Sequence, residues 1–216
     1  MNRLLLQEGL DSLKLSLNEA QFKAFELYTD EITKWNRKVN LTAIIAIDEI
    51  VVKHYIDSLI LTQRIGAREC ILDVGSGAGL PSIPLKIVRP DISVLSVDAV
   101  SKKVMFQKHV ARLLQFRDFE VKHCRVEQLG VNYEQKFDVI TSRAFTNLGN
   151  FIRLATPFLK PGGRLLAMKG PGWEDELALA ESELNGFSFK VNTFGPYQLP
   201  RKYGTRFLIE LTLRHC

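Results

Sequence analysis

Apolar positions in the first 62 residues recur at helical spacing. Phe22, Phe25, Ile32, Trp35 and Val39 stand three, seven, three and four residues apart, which is one face of a long helix. Ser16-Leu17-Asn18-Glu19 reads as the capping box of that helix, with Ser16 as N-cap and Glu19 three residues on. A turn follows at Val39-Asn40-Leu41-Thr42. Asp48 is placed to cap another helix, whose apolar side carries Val51, Tyr55 and Leu59. From residue 70 the period changes. Strands are expected near 70–74, 93–97, 119–123, 136–141 and 163–168, and helices near 80–88, 101–115 and 147–158. This alternation predicts a parallel sheet covered on both faces. Pro161-Gly162-Gly163 predicts the turn into the fifth strand. A helix near 173–184 follows. Apolar runs at 187–194 and 205–213 then flank a loop rich in Gly, Pro and basic residues and read as a closing antiparallel pair. The expectation is a doubly wound α/β sheet, mostly parallel with an antiparallel last strand. Residues 1–62 would form a helical extension and 63–216 one compact unit.

With 216 residues the chain can build one α/β domain plus such an extension. Apolar runs stay below the ~18 residues that span a bilayer, and Leu4-Leu5-Leu6 is cut off by Gln7 and Glu8, too short for a signal segment. Cys70, Cys124 and Cys216 are odd in number and far apart, which suggests neither a zinc site nor a disulfide framework. No metal is expected from the spacing of His, Cys, Asp and Glu, and a reduced, cytoplasmic setting fits. The net charge of +5 tilts the choice of partner toward a polyanion.

The candidate chemistry centres on Ile71-Leu72-Asp73-Val74-Gly75-Ser76-Gly77-Ala78-Gly79-Leu80-Pro81. It reads as a buried strand ending in an acid, a glycine turn, then a helix. Gly75, Gly77 and Gly79 let the backbone turn sharply and lie against a ligand, and the helix start offers free N–H groups. Nucleotide-type cofactors bind at this place in an α/β sheet. The dinucleotide fingerprint is G-x-G-x-x-G, whereas here the spacing is G-x-G-x-G. Asp73 would repel a pyrophosphate but attract the sulfonium and ammonium of S-adenosyl-L-methionine. Asp98 ends the second strand, 19 residues beyond Gly79, and can accept hydrogen bonds from both ribose hydroxyls. A surface acid or a cap before Ser101 is the plainer alternative. Lys102 and Lys103 open a helix, where cations oppose the dipole. Phosphate binding and a salt bridge to a neighbouring acid account for them equally well.

Several short sequences in order carry a resemblance. They are Lys34-Trp35-Asn36, Asn40-Leu41-Thr42-Ala43, His54 with Asp57-Ser58, the glycine loop running into Leu80-Pro81 and Ile83-Pro84-Leu85, Arg125-Val126-Glu127, Ser142-Arg143-Ala144 and Lys169-Gly170. On these, spanning about 34–170, the chain resembles class I S-adenosylmethionine-dependent methyltransferases. More narrowly it resembles the bacterial small-subunit ribosomal RNA guanine-N7 methyltransferases, also called glucose-inhibited division protein B. Ala78 stands where many members have proline. The resemblance implies a Rossmann-like class I methyltransferase sheet and S-adenosyl-L-methionine as cofactor. It implies a guanine in the 530 loop of 16S rRNA, naked or in the small ribosomal subunit, as substrate. It also implies that Val126 and Glu127 border the adenine and extends the cofactor-binding set to Leu80 and Arg143.

At the methyl-transfer point the chain has Thr141-Ser142-Arg143-Ala144. It lacks the Pro-Pro-aromatic sequence of amino-methylating enzymes and the Pro-Cys of carbon-5 methylating ones, and Cys124 reads as a packed thiol. A guanine N7 target suits this, because N7 carries a free lone pair and needs no deprotonation, so alignment can supply the catalysis. Arg143 and Lys169 are the candidates for direct participation. Lys102, Lys103, Arg125, Arg201 and Arg206, with Lys202, are the candidates for RNA contact. His54 and Asp57, three apart, share one helix face; they could fix the N-terminal helices over the cofactor or touch substrate, and a structural hydrogen-bonded pair is the preferred reading. A monomer without a stable protein partner is expected. The rivals are a small-molecule methyltransferase of the same fold, a non-catalytic RNA-binding assembly factor and, least favoured by the glycine spacing, an NAD oxidoreductase.

Overall fold

The computed structural model describes residues 1–143 and 146–213, so Ala144 and Cys216 of the sequence reading lie outside it. The N-terminal helices are α1 (Arg3–Ser12), α2 (Glu19–Val39), α3 (Ile47–Ile50), a π-turn (Val51–Ile56), α4 (Asp57–Leu59) and a 3-10 turn (Ile60–Arg64). The alternating part follows as β1 (Cys70–Val74), α5 (Ser82–Val88), β2 (Ser93–Asp98), α6 (Ser101–Leu113), β3 (Phe119–His123), β4 (Phe137–Arg143), α7 (Leu148–Ala155) and β5 (Leu159–Lys169). Last come α8 (Trp173–Leu179), α9 (Glu181–Gly186), β6 (Phe189–Gln198) and β7 (Thr205–Leu213).

The seven strands form one sheet in the order β3-β2-β1-β4-β5-β7-β6. Pairings from β3 through β5 are parallel, and β7 runs antiparallel to both neighbours. The order reverses beside β1, so a crevice opens between the carboxyl ends of β1 and β4. The strands there are apolar on both faces because helices cover both. One face carries α1, α2, the 47–64 segment, α5 and α6, which share a core with Ala78, Leu80 and Ile83 of the glycine loop and its helix. The other carries α7 and α9.

Four local expectations change. The α2 cap sits two residues later than predicted. Asn18 Oδ1 accepts from the Gln21 N–H at 2.9 Å and Gln21 Oε1 accepts from the Asn18 N–H at 3.0 Å. Asn and Ser cap equally well, and the residue with extended backbone is Asn18. Asp48 does not cap. Ala46 holds the N-cap position of α3 without a side-chain bond, while Asp48 lies in the first turn and binds Asn2 and Arg201. Pro161-Gly162-Gly163 lies inside β5 as a bulge instead of before it: Phe137 pairs with Leu159 but Val139 with Arg164. The helix expected at 173–184 is broken at Ala180 into α8 and α9.

Candidate functional site

The glycine loop is held by its own backbone and by buried side chains. Gly75, Gly77 and Gly79 have φ of 71°, 60° and 88°, the region only glycine adopts without strain. The Gly75 and Ser76 N–H groups donate to the Val97 carbonyl at 2.9 and 3.2 Å, tying the loop to the end of β2. Gln107, fully buried on α6, donates from Nε2 to the Gly77 carbonyl and to Ser76 Oγ, both at 2.8 Å, and its Oε1 accepts from Ser96 Oγ at 2.6 Å. From the N-terminal helices, Tyr28 donates its hydroxyl to the Ala78 carbonyl at 2.7 Å and stacks on Tyr55 and Phe106. Ser96, Gln107 and Tyr28 were not singled out from sequence. The signal for Gln107 was present, since it stands midway between Val104 and Val110 on an otherwise apolar stripe.

The outer and inner sides of the loop differ. A Cβ at Gly77 would meet nothing within 4 Å, whereas one at Gly79 would come 2.4 Å from Cδ1 of the buried Ile83. Gly79→Ala is therefore expected to destabilise the fold by about 2–4 kcal/mol, combining left-handed strain with overpacking. Gly77→Ala should cost only about 1–2 kcal/mol. Urea unfolding of the two variants checks this, and equal losses would contradict the assigned packing.

Acids dominate the charge around this loop. Asp73 is fully buried; its Oδ2 accepts from the Ser82 N–H at 3.1 Å, and its Oδ1 has no partner among the described residues. Burial pushes its pKa up to about 7, against the pull of Ser82 and the charge of Arg143. Asp98, nearly buried, accepts at Oδ2 from the Gly77 N–H and at Oδ1 from the Val100 N–H, each at 2.8 Å, which among the described residues leaves a lone pair free on each oxygen. Gly75, Asp98, Cys124, Arg125, Val126 and Glu127 line one cleft of about 80 Å³ at these strand ends. Burial raises the Cys124 thiol pKa, so the sulfur stays protonated. A groove of about 430 Å³ lies at the opposite ends of the strands between Cys70, Ser93, Phe119, Tyr133 and Phe137, away from the glycine loop.

Arg143 ends β4 and is gripped by the N-terminal segment. Its Nη1 donates to the Lys53 carbonyl at 2.7 Å and its Nη2 to His54 Nδ1 at 3.0 Å. Asp57 lies 3.5 Å from Nη1 and accepts from Arg206 Nε at 3.0 Å. Burial pushes the Asp57 carboxyl pKa up and the Arg143 pKa down, while the opposite charges counteract both shifts. His54 and Asp57 thus do not bond each other as expected; each is turned to an arginine, whose charge offsets the cost of burying Asp57, and the other His54 nitrogen lies 3.0 Å from Thr42 Oγ1.

The remaining basic candidates are spread out. Lys169 pairs with Glu176 of α8. Arg201, at the β6–β7 turn, pairs with Asp48 at 2.6 Å. Lys102, Arg125 and Glu127 are exposed and Lys103 is partly so, while Leu80 packs inward. Among the described residues no cluster of His, Cys, Asp and Glu could hold a metal ion, and no helix is long and apolar enough to cross a membrane.

The donor set fits a cationic nucleoside better than a pyrophosphate. An orphaned buried carboxylate oxygen, a second acid on the loop and an open glycine backbone all favour positive charge beside a ribose. Comparison with known proteins agrees. In fold the chain is similar to the YcgJ protein from Bacillus subtilis, with TM-score 0.61 and 16% identity over 76% of this chain and all of that one. It is also similar to a SAM dependent methyltransferase from Aquifex aeolicus, with TM-score 0.58 and 16% identity over 86% of this chain and 98% of that one. In sequence it is 45% identical over 207 residues to ribosomal RNA small subunit methyltransferase G of Geotalea uraniireducens, covering 96% of this chain and 94% of that one. The corresponding protein of Geobacter sulfurreducens is 42% identical, covering 96% and 95%. The model of the GidB family, rRNA small subunit methyltransferase G, matches residues 21–199. The chain belongs to that family and is an S-adenosyl-L-methionine-dependent methyltransferase.

Proposed function

We propose that this chain methylates N7 of a guanine in the 530 loop of 16S rRNA. The observation that carries the reading is the acid-lined glycine loop at the carboxyl ends of β1 and β2, in a chain of this family. When bound, S-adenosyl-L-methionine supplies an electrophilic methyl group. Asp73 would hold its positive charge from behind the loop, and Gly75, Gly77, Gly79 and the Leu80 backbone would give it a close approach. Asp98 would take the ribose hydroxyls with its free lone pairs, and Val126 and Glu127 would border the base. Guanine N7 needs no general base. Arg143 would orient the target by contacts to phosphate or base oxygens, since among the described residues two of its five N–H donors make hydrogen bonds within the protein. Lys169, paired with Glu176, would sit beside it at the end of β5.

RNA contact would fall to Lys102, Lys103, Arg125 and Arg201, with Arg206 contributing the donors that Asp57 and the Thr205 carbonyl leave over. The target guanine must be unpaired or flipped, because A-form duplex hides base edges. The setting would be cytoplasmic and the enzyme monomeric. The Arg201–Asp48 pair has side chains 51% and 38% exposed, so it adds at most about 1 kcal/mol to stability and can yield to phosphate. Arg201→Ala is expected to weaken RNA binding and to lower the slope of log K against log salt by about one, with Tm nearly unchanged. A salt titration in which the slope did not move would remove Arg201 from the interface.

The reading as a whole is tested with isotopically labelled cofactor and unmodified 16S rRNA, offered naked and as the assembled small subunit. Label in either form supports it, and the preferred form dates the step in assembly. Cofactor binding with no label in either would redirect the search to a small-molecule substrate.

A further inference from the structure

The Arg143 cluster is built on a departure from the α-helix. Between Val51 and Ile56 the chain widens into a π-turn, and the Asp57 N–H bonds to the Val52 carbonyl, five residues back, and to that of His54. In an α-helix that N–H would take the Lys53 carbonyl. Here the Lys53 carbonyl accepts from Arg143 Nη1 instead, at 2.7 Å. The next residue, His54, accepts from Nη2 at 3.0 Å, so two consecutive residues grip two nitrogens of one guanidinium. π-Turns of this kind concentrate at functional sites.

A second run of contacts supports the first. Because His54 Nδ1 accepts, the ring proton sits on Nε2, which donates to Thr42 Oγ1 at 3.0 Å. Thr42 is fixed in turn: its N–H donates to Asn36 Oδ1 at 3.0 Å, its carbonyl accepts from Asn36 Nδ2 at 2.9 Å, and its hydroxyl accepts from the Ile44 N–H at 3.1 Å. A continuous line therefore runs from α2 through Asn36, Thr42 and His54 to the end of β4. Burial and the charge of Arg143 push the His54 pKa down to about 3, so its acceptor stays available at neutral pH. Tying the helices to the sheet would need only the Asp57 charge. Aligning both imidazole nitrogens and releasing a backbone carbonyl controls the direction of the guanidinium.

We propose that the π-turn at Val51–Ile56, with His54, Asp57 and Thr42, is a positioning device that holds Arg143 in one orientation and thereby sets the rate of methyl transfer. His54 is its acceptor, Asp57 its counter-charge shared with Arg206, and Thr42 the anchor of the imidazole. The role in rate rests on the placement of Arg143 at the transfer point; the grip on the guanidinium does not.

Two substitutions separate positioning from packing. His54→Ala removes the acceptor, while His54→Asn returns an amide oxygen near the position of Nδ1. The expected result is a fall of about tenfold or more in single-turnover rate for His54→Ala at saturating cofactor and substrate. His54→Asn should recover most of that rate, with cofactor Kd within about twofold in both. The Arg143 guanidinium N–H signals in 15N NMR, distinct in the wild type, should broaden in His54→Ala and return in His54→Asn. Should His54→Ala fail to fold, Thr42→Val, which removes the anchor together with the acceptor of the Ile44 N–H, should show the same changes at a few-fold scale. A His54→Ala rate within about twofold of wild type, or equal losses in the two variants, would overturn the role in rate. Unchanged guanidinium signals would overturn the device whatever the activity. Wild-type protein that labels no ribosomal RNA, yet shows the expected signal changes, would sink the functional reading and leave the grip standing.

Discussion

Arg143→Lys is expected to lower methyl transfer by about a hundredfold while the protein stays folded and the cofactor still binds. Lysine keeps a positive charge opposite Asp57, but its three N–H donors radiate from one nitrogen in place of a planar fork. It cannot grip the Lys53 carbonyl and His54 Nδ1 while also presenting donors to the substrate. An error of about 1 Å in alignment is enough for a loss of that size. Arg143→Ala should lose at least as much activity, and on the order of 2–4 kcal/mol of stability as well. It leaves the buried Asp57 with Arg206 alone and strands the His54 acceptor. Single-turnover rates beside urea unfolding check both variants. A lysine variant with near-normal turnover would remove Arg143 from the transfer step.

Asp73→Asn should have opposite effects on stability and binding. The Asp73 pKa is raised from the usual 3.8 to about 7 in the folded chain, so between these values the folded state holds a proton that the unfolded state has lost. The wild type without ligand therefore loses stability as pH climbs from about 4 through about 7. The asparagine variant should lose that slope and be about 1–3 kcal/mol more stable than wild type at pH 8, since a buried charge has gone. Its affinity for S-adenosyl-L-methionine should fall by tenfold or more. In the wild type, affinity should rise with pH through about 7, as the carboxylate that opposes the cofactor's positive charge forms. Calorimetric titrations at several pH values check this. An asparagine variant that binds as tightly as wild type would show that Asp73 serves the loop alone.

What was legible in the sequence is what local covalent geometry dictates. Three glycines at alternate positions force the positive-φ loop, and the apolar run through Val74 forces a strand buried on both faces, so Asp73 and Asp98 could be placed at strand ends from spacing alone. The closing pair was legible because its strands carry their own apolar pattern. The illegible parts depend on choices between near-equal local options. Ser16 and Asn18 are both good caps, and the chain takes the one whose Gln21 partner also reaches the Ile87 carbonyl of α5. The π-turn has the same composition as an α-helix and exists because Arg143, some ninety residues on, satisfies the carbonyl it releases. His54 and Asp57 could be named as a polar pair in an apolar segment, but nothing in their spacing says that each serves an arginine from a distant strand.

The most direct test of the account is the identity of the modified nucleoside. Unmodified small subunits are incubated with the protein and isotopically labelled S-adenosyl-L-methionine, and the 16S rRNA is digested and analysed by mass spectrometry. The account predicts label in 7-methylguanosine from the 530 loop, lost in Arg143→Lys. Label on an exocyclic amine or a ring carbon would contradict it, because an exocyclic amine needs a proton acceptor and a ring carbon a nucleophile, roles the proposed mechanism assigns to no residue.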